Sequence, residues 1–109
     1  MPRGEQGKDI PAAIGPRSLW EAVTMLSRIQ DQQEVAIKER DLARMNRLLS
    51  EQAVAWSYVR GFAEQLVRRG EAPPGMARRL RTVLKIHERR EVELAEALAR
   101  LGEKLQSAA

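Results

Sequence analysis

Two long amphipathic stripes that meet at Pro73-Pro74-Gly75 limit what this chain can fold into. Ahead of that point Val35, Leu42, Leu49, Trp56 and Ala63 recur every seven residues, with Met45, Val59 and Leu66 interleaved at three- and four-residue steps. That spacing puts apolar side chains along one helical face. Beyond it, Leu80, Leu84, Leu94, Leu98, Leu101 and Leu105 trace a second stripe of the same kind. The helix formers Ala, Glu, Leu, Arg and Gln dominate, while the strand-favouring residues are few and never alternate over a usable run. The reading is an all-α domain. At 109 residues, 43% apolar with only four aromatics, the composition suits elongated helices better than a thick globular core.

The punctuation fixes the element boundaries. Pro16 closes off any earlier helix and Ser18 is a natural cap, with Glu21 three residues on completing a capping box. The stripe then reads Leu19, Val23, Leu26, Ile29, crosses the polar stretch Gln30 to Glu34, and resumes at Val35/Ile37. No Pro or Gly interrupts it, so one helix over about 18–69 is expected, with a break near residues 30–34 as the alternative. Arg68 and Arg69 in the last turn and Gly70 after it mark the helix end. A second helix over about 74–107 follows. The short connector makes the two antiparallel neighbours. The expected fold is therefore a long antiparallel hairpin over 18–109, or a three-helix bundle if the first helix breaks. Pro2, Gly4, Gly7, Pro11, Gly15 and Pro16 make residues 1–17 read as a disordered tail.

The two helices differ in length. At ~1.5 Å per residue the first spans roughly 78 Å and the second roughly 51 Å. Folded back, the second reaches only to about residue 36 of the first. Leu19, Val23, Leu26 and Ile29 would then lack an intramolecular neighbour, and burying each is worth roughly 1.5–3 kcal/mol. They must fold back, form a dimer surface or bind a partner.

Several function classes find no support. The sequence has no cysteine, hence no disulfide, thiol nucleophile or thiolate metal site. It carries no phosphate-binding Gly loop and no nucleophile-His-acid arrangement, so no catalytic residue or cofactor is assigned. His87 and Glu91 share a helix face at metal-ligand spacing, but with a single His and no Cys they read as a polar pair on the helix seam. No apolar run approaches the ~18 residues of a membrane span, and the first twenty lack the apolar core of a secretory signal. Net charge is +4, concentrated between residues 60 and 90. Arg68, Arg69, Arg78, Arg79 and Arg81 form a basic hairpin tip, three of them near a helix start where the dipole disfavours cations. Nucleic acid is a minor reading for that tip, because no aromatics are interleaved with the arginines.

The segment Glu34-Val-Ala-Ile37-Lys-Glu-Arg-Asp41-Leu42-Ala-Arg-Met45-Asn-Arg-Leu48-Leu49-Ser-Glu-Gln52 resembles the central helix of FlgN-like flagellar type III export chaperones. Shared features are a Glu, a small-apolar pair, an acidic residue just before a Leu, and spaced leucines. The resemblance covers about residues 19–69, and the last helix by architecture alone. It implies a cytoplasmic all-α chaperone that keeps a protein client, a flagellar hook-associated subunit of the hook-filament junction, unassembled before export. The client-engaging element of that family maps here onto Leu94, Leu98, Leu101 and Leu105. This chain departs from the family in its short length, its Pro/Gly-rich head and its basic balance. A coiled-coil homodimer acting as a scaffold, and a nucleic-acid-associated basic hairpin, are the other readings.

Overall fold

The computed structural model describes residues 15–108; residues 1–14 of the expected tail, and Ala109, lie outside the described residues. The chain is all-α, as expected, and among the described residues it contains three helices and no strand: α1 (Leu19–Lys38), α2 (Leu42–Arg68) and α3 (Met76–Ser107). At ~1.5 Å per residue they are roughly 30, 40 and 48 Å long.

The expected first helix is therefore two. The break does not fall in the polar stretch at residues 30–34, which runs helically through the middle of α1. It falls at Glu39-Arg40-Asp41. Asp41 N–H donates to Ala36 O at 2.8 Å and Arg40 N–H to Ile37 O at 3.0 Å, the paired bonds of a Schellman closure. Arg40 takes the left-handed conformation, φ 58, that glycine usually supplies. Asp41 then caps α2, its carboxylate accepting from Arg44 N–H at 3.0 Å. Three residues, Glu39 to Asp41, end one helix and start the next, so the chain reverses in a tight turn.

The other boundaries follow the expected signals. Ser18 Oγ accepts from Glu21 N–H at 3.2 Å, while the Glu21 carboxylate reaches one residue further back than a capping box, to Arg17 N–H. Gly70, φ 65, closes α2 through the same pair of bonds, from Glu71 N–H to Leu66 O and from Gly70 N–H to Val67 O. Gly75, φ 81, precedes α3. The second expected helix starts at Met76 instead of about residue 74.

With the reversal at Arg40, α1 lies between the other two. It runs antiparallel to α2, Val23 clustering with Val59 and Ala36 with Met45, and parallel to α3, where Gln30 meets His87 and Asp31 and Glu34 meet Arg90. Two apolar clusters form. Near the connector, Leu19, Ala22, Val23 and Val59 pack with Phe62, Leu66, Met76, Leu80, Val83 and Leu84; further along, Leu26, Ile29, Ala36, Met45, Leu48 and Ala55 pack with Met25, Ile37 and Leu98. Trp56 touches both. Of the three routes open to the leading stripe, the chain takes the internal one. Leu19, Val23, Leu26 and Ile29 are 3, 7, 0 and 5% exposed. This corrects their reading as a partner or dimer surface: α2 doubles back onto them, and α3 completes the cover.

Candidate protein-binding seam

Polar side chains stitch α3 to the α1–α2 pair. Gln30, fully buried, donates through Nε2 to His87 O at 3.0 Å and meets His87 Nδ1 through Oε1 at 2.8 Å. Trp56 Nε1–H donates to Glu91 Oε2 at 2.6 Å. Arg90 reaches Asp31 at 2.7 Å and Glu34 at 3.4 Å. His87 and Glu91 thus sit on the seam as expected, each with a partner on a different helix. Burial, and secondarily the positive Arg90 beside it, hold the His87 pKa below its ordinary value. Gln33 donates to Gln52 Oε1 at 2.9 Å, leaving its own buried Oε1 without a partner. Such an orphan costs roughly 1–3 kcal/mol.

The α2–α3 pairing is looser than the α1–α2 pairing. The Cα traces of α2 and α3 nowhere come within 8 Å of each other. Register explains what this exposes. The α1–α3 bonds join residues 56 to 59 positions apart, so Lys38, the last residue of α1, lies level with about residue 95 of α3. Leu98, Leu101 and Leu105 lie beyond that level, Leu98 still packed against the cluster that Leu26, Ile29 and Ala36 share with Met45 and Leu48. Extended antiparallel from the Trp56–Glu91 bond, the register brings Leu98 to the level of Leu49 and Leu105 to the level of Leu42, with the two Cα traces still more than 8 Å apart. Leu42 and Leu49 are 41% and 37% exposed, and Leu98 and Leu105 are half-buried. The result is an apolar strip between two helices where the third has ended.

No family model, curated protein or solved structure matches this chain. The expected client-binding set divides by burial: Leu98 and Leu105 are half-buried and lie on the strip, whereas Leu94 and Leu101 are buried. Sequence reading missed Leu42 and Leu49 as surface residues. Their heptad placed them in a seam, and only the early end of α1 leaves that seam open.

The basic tip is assembled at the opposite end of the molecule. Arg68, Arg69, Arg78, Arg79 and Arg81 are all exposed there. Arg68 lies 4.0 Å from Glu64, and the Arg79 guanidinium stands 5.8 Å from the centre of the Trp20 ring, a cation–π contact that partly explains a cation near the start of α3. Arg69 borders a cavity of about 400 Å3 floored by Leu19, Phe62, Leu66 and Met76. Among the described residues no group of three or more His, Cys, Asp or Glu could hold a metal ion, and no helix is long and apolar enough to cross a membrane.

Proposed function

We propose that this chain is a helical chaperone of the flagellar export kind. It holds an amphipathic helical segment of a hook-filament junction subunit on the α2–α3 strip, in the cytoplasm, and so keeps that subunit unassembled before secretion. The observation that carries the reading is the incompletely covered apolar surface past the end of α1, Leu42 and Leu49 on α2 and Leu98 and Leu105 on α3. A helix laid there continues the line of α1 and completes a three-helix cross-section, the helix-in-groove mode of recognition. The likeness of residues 34–52 to export chaperones supplies the kind of client. No catalytic group or cofactor enters the reading.

Covering four half-exposed leucines yields on the order of 3–6 kcal/mol before the entropy of association is subtracted. That supports a releasable complex, as a delivery role needs. The test is titration of the purified chain with a hook-filament junction subunit, followed by light scattering on the eluted species. A one-to-one complex is expected, weakened at least about tenfold by the double change Leu98→Asp and Leu105→Asp, with helix content unchanged. Failure of every junction subunit to bind, or equal binding by the double variant, overturns the reading. A client-free dimer that protects Leu42 and Leu49 would instead favour a homodimeric scaffold.

A further inference from the structure

The back of α3, turned away from the other two helices, carries a stripe of cations that takes no part in holding the bundle. Arg78, Arg81, Lys85 and Arg89 are all exposed. At about 100° per residue they fall within an arc of about 80°, centred roughly 160° round the helix from His87, and they run about 17 Å along the axis. Their spacing works against the helix. Arg81, Lys85 and Arg89 follow one another at four-residue steps and Arg78 precedes Arg81 by three, so each stands beside a like charge. Arg78 also sits in the first turn, where the dipole repels cations. Glu88 and Glu93 stand one to each side of the stripe. The ion pairs among the described residues lie elsewhere, joining Arg44 to Glu39, Arg68 to Glu64 and Arg90 to Asp31 and Glu34. An anionic partner outside the chain would offset the repulsion.

We propose that this stripe docks the protein on an anionic lipid surface, with the first half of α3 lying flat against the headgroups. Charge complementarity selects an anion, and two apolar side chains select lipid among anions. Ile86 and Val92 are 61% and 57% exposed. Val92 lies in line with the stripe, and Ile86 sits with Lys85 and Arg89 in a surface cleft of about 510 Å3 to which Thr82, Arg90 and Glu93 also contribute. Such side chains gain by entering the boundary between headgroups and acyl chains, whereas a phosphate backbone leaves them in water. No Trp, Tyr or Phe lies on α3 for bases to stack on. Between residues 60 and 90 nine Lys/Arg face three Asp/Glu, so this end of the molecule is the one an anionic leaflet attracts. The contact is a surface one, since no helix among the described residues is long and apolar enough to cross a membrane. Leu98 and Leu105 lie further along α3 on its opposite side, so a lipid-bound molecule keeps the leucine strip open.

The test is sedimentation of the full-length protein with vesicles of phosphatidylcholine alone and with vesicles containing about one-third phosphatidylglycerol. Binding to the anionic vesicles is expected to be at least about tenfold tighter than to the neutral ones and to fall with added salt. Lys85→Gln with Arg89→Gln is expected to weaken it at least about fivefold, and Ile86→Ser to weaken it as well. Arg100→Gln with Lys104→Gln, the same loss of charge at the far end of α3, should leave it within about twofold. All five side chains are exposed, so helix content by circular dichroism should not change. Equal sedimentation with both vesicle types, none with either, or equal loss from the two charge pairs overturns the proposal. So does tighter capture by a duplex oligonucleotide that Ile86→Ser leaves unweakened, which would assign the stripe to nucleic acid. The measurement needs no client, so its outcome is separable from that of the chaperone reading.

Discussion

Arg40 decides the fold. It holds a left-handed backbone that costs a non-glycine residue roughly 1–2 kcal/mol, and the two Schellman bonds and the Asp41 cap offset that cost. Arg40→Gly should therefore raise stability by about 1 kcal/mol, read as a shift in urea midpoint at constant slope. His87 gives a second residue-scale prediction. Its folded-state pKa is depressed by burial and by Arg90, so between that value and the ordinary one of about 6.5 the unfolded chain binds more protons. Its contribution to stability is then complete above about pH 6.5 and falls as the pH drops through that interval. Urea unfolding at pH 7.5 and at pH 5 should show a loss in the native protein that is smaller in His87→Gln. Asp41 read in the sequence as one more polar residue of a continuous helix, because without a glycine beside it nothing marked a helix end there. A Schellman closure on arginine depends on what the reversal buries, and that is a tertiary quantity.

At the scale of elements, α2's end and nearly all of α3 were legible, because Gly70, Pro73 and Gly75 act locally on the backbone. The stripe Leu19, Val23, Leu26 and Ile29 was also legible as a face needing cover. Its cover was not, since periodicity says which face is apolar and not which helix meets it. Inside the bundle Leu26 sits at 0% exposure among Ile29, Ala36, Met45 and Leu48. Leu26→Ala should cost about 2–5 kcal/mol of folding stability by chemical denaturation. Changes on the strip, at Leu49 or Leu105, should cost far less, because those side chains keep much of their contact with water. The polar seam was half legible: His87 and Glu91 stood out in the leucine stripe, but their partners depended on tertiary register, Gln30 on that of α1 with α3 and Trp56 on that of α2 with α3.

At the scale of the molecule, one reversal converts a rod with an uncovered end into a bundle with an uncovered strip. The client-binding leucines expected from sequence share one face of α3 but differ in cover, Leu94 and Leu101 being buried and Leu98 and Leu105 half-buried. The strip exists only if α1 ends at Lys38 and α2 returns along it, so the distance between the two ends of that pair tests the account most directly. Spin labels at Glu21→Cys and Gln65→Cys, unique in a chain without native cysteine, report it by electron double resonance on protein diluted with unlabelled chain. The fold-back predicts a separation of about 10–20 Å, the spacing of packed helices plus the labels. A separation near 66 Å, the length of an unbroken helix over the same residues at ~1.5 Å each, would contradict it.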